Sequence, residues 1–136
     1  MQVRQMISSH PDVGDDEKDA LLRCIEECHS CAQTCTSCAD ACLAEEMVAE
    51  LRQCIRLNLD CADLCTAAGS VATRRTGQNV EVLAALLNAC AVACRLCADE
   101  CWKHSEHHEH CRICAESCRR CAEACSEAVH SIRAEP

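Results

Sequence analysis

The sequence predicts an all-α fold, an up-down-up-down four-helix bundle whose core is lined by cysteines. The 18 cysteines fall into four blocks in which neighbours are three or four residues apart, and once seven, the spacing that returns a side chain to one face of a helix. The residues between them favour helices, since the 136-residue chain has only 3 Gly and 2 Pro. Phe and Tyr are absent and Trp102 is the only aromatic residue, so cysteine is expected to fill the core.

The first bundle helix is predicted over residues 15–45. Pro11 and Gly14 disfavour a helix before it, and Asp15 and Asp16 are acidic residues suited to a helix start. Its cysteines, separated by alternating steps of four and three residues, are Cys24, Cys28, Cys31, Cys35, Cys38 and Cys42. That regular step predicts one continuous stripe of thiols along the helix.

The second bundle helix is predicted over residues 47–74. Its cysteines are Cys54, Cys61 and Cys65. The first two are seven residues apart, so Asn58 takes the stripe position between them and a polar side chain is expected in the middle of the core.

Another face of the second helix is apolar and lies away from the thiol stripe. Its residues are Leu51, Ile55 and Leu59. Because a monomer would leave this face exposed to water, the pattern predicts association of copies of the chain through helix two.

The third bundle helix is predicted over residues 79–104. The run Arg74-Arg75-Thr76-Gly77 ends the second helix, and Asn79 is suited to cap the start of the third. The cysteines of this helix are Cys90, Cys94, Cys97 and Cys101.

The fourth bundle helix is predicted over residues 106–132. Its cysteines are Cys111, Cys114, Cys118, Cys121 and Cys125. The turns at 44–47 and 103–107 are short, so consecutive helices are expected to be antiparallel neighbours.

The two ends of the predicted bundle differ in chemistry. Extending the stripes one way reaches apolar residues only, namely Leu21, Ala68, Leu83, Leu87, Ala128 and Ile132. Extending them the other way reaches His104, His107 and His108, with Met47 close to the stripe of helix two. His110 fits the stripes less well. One end is therefore expected to be closed and the other to be a ligand-rich entrance.

The spacing of the thiols favours metal binding over disulfides. Residues four apart on a helix have Cβ atoms about 5–6 Å apart. Two metal–thiolate bonds of about 2.3 Å span roughly 4.6 Å, which fits such a pair, whereas a disulfide needs Cβ atoms about 3.8 Å apart. All 18 cysteines are therefore candidate metal ligands, together with the three histidines of the entrance.

Copper(I) is the metal that this ligand set favours. Thiolate-only sites select copper(I), zinc or iron–sulfur clusters. Zinc held by four thiolates carries a net charge of about −2, and several such sites in one interior would bury uncompensated charge. Copper(I) with about one bridging thiolate per metal is neutral. The cysteine runs of iron–sulfur proteins do not occur in the sequence. We therefore expect several Cu(I) ions per chain.

Other classes of protein fit the sequence less well. A zinc or general heavy-metal buffer is the main alternative, and a structural disulfide-rich bundle is another, although such scaffolds are usually shorter and loop-rich. A redox enzyme is disfavoured, because the sequence shows no catalytic triad, phosphate loop or cofactor fingerprint. We expect a non-enzyme.

Composition also indicates a compartment and partners. Residues 1–11 contain no apolar run of signal-peptide length, and no stretch is expected to span a membrane. A formal net charge of −9 disfavours nucleic acid and anionic membranes as partners. We expect a cytoplasmic protein with an N-terminal segment over 1–14, which includes a short helix within 2–10, followed by a metal-binding bundle over 15–132.

Two cysteine runs carry a resemblance to a known family. They are Cys24-x3-Cys28-x2-Cys31-x3-Cys35-x2-Cys38-x3-Cys42 and Cys111-x2-Cys114-x3-Cys118-x2-Cys121-x3-Cys125. With them, residues 15–132 resemble the cytosolic copper storage proteins of bacteria. The resemblance implies a homotetramer of bundles that fills its core with Cu(I), admits metal at the histidine-bearing end, protects against copper toxicity and buffers copper supply.

Overall fold

The protein consists almost entirely of helices. A computed structural model describes residues 2–13 and 19–133, so the helix start predicted at residue 15 lies outside the described residues. The elements in chain order are α1 (Val3–Ser8), α2 (Asp19–Leu43), a 3₁₀ helix (Val48–Leu51), α3 (Arg52–Thr73), α4 (Val80–Lys103) and α5 (Glu109–Arg133). No strand occurs in these two ranges, and the all-α prediction is confirmed.

The four long helices form the predicted bundle. Each of α2, α3 and α4 packs against the helix that follows it in the chain, and α5 packs against α2, which closes the ring. Because each helix is joined to the next by a short connection, neighbours run antiparallel. The cysteine stripes of all four helices therefore face one central axis.

The helix ends differ from their predicted positions by a few residues. Helix α2 stops at Leu43 because the chain tightens there, with the backbone N–H of Glu45 donating to the carbonyl of Cys42. Helix α5 starts three residues later than predicted, because the preceding turn is closed by the N–H of His108 donating to the carbonyl of His104. Asn79 occupies the N-cap position of α4, but its side chain makes no capping hydrogen bond.

Helix α1 packs on the outside of the bundle. Its Val3 and Ile7 are buried against the core, and its Arg4 forms ion pairs with Asp19 and Glu26 of α2. This short helix lies within the stretch 2–10. The division of the chain at residue 14 remains a prediction.

The apolar end of the bundle is closed. Five of its six predicted residues are buried, and the sixth, Leu83, is partly buried. We call this set, Leu21, Ala68, Leu83, Leu87, Ala128 and Ile132, the closed end. These apolar side chains therefore cover this end of the cysteine stripes.

Exposed apolar residues are most numerous on α4, whereas the sequence predicted them on the second bundle helix, α3. Leu51 is only 1% exposed, because the 3₁₀ helix turns its side chain into the core, so the expected apolar face of helix two is reduced to the partly buried Ile55 and the exposed Leu59. Three further exposed apolar side chains lie along α4, namely Val82, Val92 and Leu96.

Helix α4 is also the one helix of the described ranges that is long and apolar enough to span a membrane, with a mean hydropathy of 1.8. The expectation that no stretch has this property is wrong for α4. The core helix of a water-soluble bundle meets the same criterion, and α4 buries its four cysteines in the bundle centre.

Candidate metal centre

The centre of the bundle is a continuous column of thiols. All 18 cysteines lie in the described ranges, are free of disulfides, and are at most 2% exposed. Within one helix, thiols four residues apart lie close together: the Sγ atoms of Cys31 and Cys35 are 3.8 Å apart, and those of Cys114 and Cys118 are 4.0 Å apart. The predicted same-helix pairs therefore exist without disulfide bonds.

Contacts between helices are as close as contacts within them. The Sγ atoms of Cys54 and Cys101 are 3.4 Å apart, and Cys61 and Cys94 approach to 3.5 Å. These separations are somewhat shorter than the roughly 4.6 Å that a linear sulfur–metal–sulfur unit needs. Small side-chain rotations would open each pair to admit an ion, without movement of the helices.

The thiols form four-membered groups that share members. Within each group, all Sγ atoms lie within 4.8 Å of one another. From the closed end outward, five such groups are Cys28, Cys90, Cys121 and Cys125; Cys31, Cys65, Cys94 and Cys121; Cys31, Cys35, Cys61 and Cys118; Cys35, Cys97, Cys114 and Cys118; and Cys38, Cys42, Cys54 and Cys111. A thiolate that belongs to two groups can bridge two metal ions, so the column favours clusters over isolated sites.

Asn58 is the polar side chain predicted in the middle of the core, and it is fully buried. Its Oδ1 accepts hydrogen bonds from the thiols of Cys97 and Cys114, each at 3.1 Å, and its Nδ2 donates to the Sγ of Cys54 at 3.7 Å. Because every polar atom of the amide has a thiol partner, Asn58 is satisfied in the metal-free core. It also places one amide oxygen among the sulfurs.

Most of the thiols resist losing their protons in the metal-free protein. The pKa of Cys65 is raised, because neighbouring thiols, Cys121 first, hydrogen-bond its protonated form and because it is buried. Burial also raises the pKa of Cys42. Hydrogen bonds from neighbours, Cys101 first, lower the pKa of Cys97 instead. Each metal ion that binds as a thiolate complex therefore displaces protons into solvent.

The thiol group at the outer end of the column lies beside His110, the histidine that fits the predicted stripes least well. We call Cys38, Cys42, Cys54, Cys111 and His110 the mouth. The Nδ1 of His110 lies 3.4 Å from the Sγ of Cys38 and 3.6 Å from the Sγ of Cys111. A surface pocket of about 280 Å³ is lined by both Cys38 and His110, so this part of the mouth lies next to the protein surface.

Glu45 fixes the orientation of the His110 ring. Its Oε2 lies 2.9 Å from the Nε2 of His110, and since an ionised carboxylate can only accept, Nε2 carries the proton. The Nδ1 that faces the thiols then has a lone pair that can accept a hydrogen bond from Cys38 or Cys111. The hydrogen bond from His110, together with the electrostatic interaction with the neighbouring imidazoles, holds the pKa of Glu45 below its usual value, which keeps this carboxylate ionised.

The three predicted histidines have separate surroundings. His108 lies beside the mouth. Its Nδ1 is 2.9 Å from the same Oε2 of Glu45, and its ring stacks on that of His110 with 5.5 Å between the ring centroids. The Nε2 of His104 pairs with Glu100 at 3.1 Å. His107 is exposed, and Met47 is 54% exposed.

Sequence reasoning missed His110 because it precedes Cys111 directly and so falls off the helical stripe. The ring nevertheless reaches the mouth thiols, since it belongs to the first turn of α5 and is held by Glu45 from the end of α2. A carboxylate in the connection after α2 and a histidine in the first turn of α5, at the same end of the bundle, is the signal that could have identified this pair.

A four-helix bundle with a buried column of closely spaced thiols, covered by apolar side chains at one end and flanked by histidines at the other, defines a high-capacity container for a soft metal ion. The family model of copper storage proteins matches residues 17–130. This chain therefore belongs to the copper storage protein family.

Solved structures agree with that assignment. The copper storage protein of Streptomyces lividans, in a structure loaded with 10 copper equivalents, is 51% identical over 94% of this chain and 98% of its own, with a TM-score of 0.90. A second structure, of a cytosolic copper storage protein of the same organism with five coppers, is 55% identical over 82% of this chain and 93% of its own, with a TM-score of 0.81.

A more distant relative has the same fold. The Cu(I)-bound copper storage protein of Bacillus subtilis is 35% identical over 80% of this chain and 97% of its own, with a TM-score of 0.70. No curated protein sequence matches this chain significantly.

Proposed function

We propose that this protein stores many Cu(I) ions on its 18 buried cysteines. The observation that carries the proposal is the sharing of thiols between adjacent four-membered groups: Cys31, Cys35, Cys118 and Cys121 each belong to two groups. Shared thiolates suit Cu(I), which forms bridged clusters with about one thiolate per metal and no net charge. Zinc in separate four-thiolate sites would bury about two negative charges per ion.

The storage role is passive. The family to which the chain belongs is one of storage proteins, and the chemistry that the thiol column supports is the reversible exchange of protons for metal ions. We propose that the protein is not an enzyme. A relative described as cytosolic supports a cytoplasmic location, where sequestration would limit free copper and release would supply it.

Copper is proposed to enter and leave at the mouth. His110 offers a neutral nitrogen beside Cys38 and Cys111, and neutral imidazole is a weaker ligand for Cu(I) than thiolate, so it can pass an ion inward. His108 shares Glu45 with His110 and belongs to the same entrance. His104 and His107 remain proposed as outer ligands of the same end.

Copies of the chain are proposed to associate, in the tetramer that the family resemblance implies. The support from this chain is the row of exposed apolar side chains on α4, Val82, Val92 and Leu96. Val92 and Leu96 are four residues apart, so they lie on one face of α4 that a second copy can cover. Light scattering of the wild type and of a Val92→Glu, Leu96→Glu variant tests this, and an unchanged mass would contradict it.

Metal titration of the reduced, metal-free protein under anaerobic conditions tests the storage proposal. Cu(I) should load to about one ion per cysteine, because each thiolate bridges. Zinc should stop near a quarter of that number, because four thiolates are consumed by each ion. Equal capacities for the two metals would favour a general heavy-metal buffer over a copper store.

A further inference from the structure

The closed end of the bundle carries a second cavity that the thiol column does not use. Its volume is about 540 Å³, within the usual range of small-molecule sites. Three arginines line it: Arg74 and Arg75 from the turn after α3, and Arg133 from the end of α5. The apolar side chains of Leu21 and Ile132 also line it and separate it from the first cysteines.

Among the residues that the structure describes, the arginines of this cavity have no anionic partner. The Nη1 of Arg75 is buried and makes no hydrogen bond, which is costly for a charged donor. Over residues 2–13 and 19–133, no carboxylate pairs with Arg74, Arg75 or Arg133, although Arg23 on the same molecule pairs with Glu127 at 2.7 Å. Three positive charges are therefore concentrated around one concave space in a protein whose formal net charge is −9.

The start of α4 adds further hydrogen-bond donors to the same cavity. Asn79 and Val80 line it. Because the Asn79 side chain makes no capping hydrogen bond, the first-turn N–H groups of α4 have no acceptor from that side chain. Gly77 also lines the cavity and has a φ of 73°, a conformation that glycine adopts without strain. Because glycine has no side chain, none fills this part of the cavity.

We propose that this cavity is a binding site for a phosphate group, either inorganic phosphate or the phosphate of a small organic ester. Guanidinium groups match the oxygens of phosphate in a planar, two-pronged fashion, and helix N-termini favour the same anion. Three guanidiniums and a helix start offer more donors than the two oxygens of a carboxylate can accept. The apolar lining provides a contact for the organic part of an ester.

The proposed site goes beyond copper storage and does not depend on it. A bound phosphate would join the turn after α3 to the end of α5, at the end of the bundle opposite the mouth. Binding to the folded state alone would stabilise the protein by mass action. The ligand is therefore expected to act on the stability of the bundle and to leave the number of copper ions unchanged.

The experiment titrates inorganic phosphate into the reduced, metal-free protein at constant ionic strength, followed by calorimetry and by the thermal midpoint. Saturable binding with a rising midpoint is expected for the wild type. Arg75→Gln and Arg133→Gln should each weaken phosphate binding at least tenfold. Arg23→Gln is the matched control, since it removes the same charge from a surface ion pair and should leave phosphate binding unchanged.

Three results would overturn the proposal: a phosphate effect no larger than that of chloride at equal ionic strength, acetate binding as tightly as phosphate, or an equal loss in the Arg23→Gln control. Circular dichroism verifies that each variant is folded. If Arg75→Gln does not fold, Arg133→Gln decides the outcome. Because no copper is present, failure of this proposal and failure of the storage role are separate results.

Discussion

The Oε2 of Glu45 lies 2.9 Å from the Nε2 of His110, across the gap between the end of α2 and the start of α5. This contact selects the tautomer of His110 whose Nδ1 faces the thiols of the mouth. Carboxylates that hold a ligating histidine in this way commonly orient the ring and raise its basicity. Glu45, a carboxylate near the surface, therefore determines which nitrogen of His110 faces the outermost thiols of the column.

Replacing Glu45 by Ala should weaken copper binding at the mouth by about 10- to 100-fold, the usual cost of removing such a partner. The total capacity should change little, because the interior thiols remain. Competition with a chelator at low copper loading gives the affinity, and ¹⁵N NMR gives the tautomer of His110. Glu46→Ala is the matched control, since Glu46 is adjacent and exposed. Equal effects of the two substitutions would show that only surface charge is involved.

The pH dependence of the mouth follows from His110. Burial lowers the pKa of His110, but its hydrogen bonds with Cys38 and Glu45 outweigh burial and raise the pKa overall. Protonated His110 therefore stabilises the metal-free fold at pH values below its unfolded-state pKa of about 6.5. This contribution is lost as the pH rises through the higher folded-state pKa. Denaturant unfolding of wild type and His110→Ala should thus differ more at pH 5.5 than at pH 8.5.

Copper loading should have the opposite pH dependence, because a proton and a metal ion compete for the same Nδ1. The initial rate of uptake by the wild type should rise as His110 loses its proton, and His110→Ala should lack this step. His130→Ala serves as the control, since His130 is exposed and lies in the last turn of α5, at the closed end of the bundle. A pH step that persists in His110→Ala, or disappears in His130→Ala, would contradict the assignment of His110 to the mouth.

The metal-free protein should be helical and soluble. Its buried cysteines act as small apolar side chains while protonated, and Asn58 has hydrogen-bond partners without metal. Circular dichroism of the reduced protein is expected to show the helical content of the bundle. A random coil would make copper a requirement for folding, as zinc is for zinc fingers.

Removing two thiols from the column should lower its capacity in proportion. Cys31 and Cys35 each belong to two four-thiol groups, so Cys31→Ala with Cys35→Ala should reduce loading by about two ions, given about one thiolate per metal. The fold should survive, at a cost of roughly 1 kcal/mol for each buried group deleted. The control is the exposed pair Ser30→Ala and Ser37→Ala on the same helix. An unchanged capacity in the cysteine variant would refute the bridging geometry.

The helices and the thiol column could be predicted from the sequence because their determinants are periodic. Steps of three and four residues place Cys24 to Cys42 on one face of α2, and the step of seven around Asn58 places that residue among the thiols. Both statements depend only on the geometry of a single helix. Antiparallel packing followed from the short connections between the helices.

The mouth and the surface could not be predicted in the same way, because they depend on contacts between elements. His110 of α5 contacts Cys38 of the neighbouring helix α2, although its own position is off the cysteine stripe of α5. Leu51 is buried because a 3₁₀ helix precedes α3, which changes the direction of its side chain from that expected on a continuous α-helix. Asn79 has the residue type of a cap, but its conformation leaves the capping bond unmade.

The measurement that tests the central claim most directly is the location of copper by anomalous X-ray scattering from crystals of the fully loaded protein. The thiol column predicts copper peaks along the bundle axis, from the group containing Cys28 and Cys125 to the mouth beside His110, with bridging thiolates between neighbouring ions. Copper confined to surface histidines and carboxylates, with the central thiols unoccupied, would contradict it.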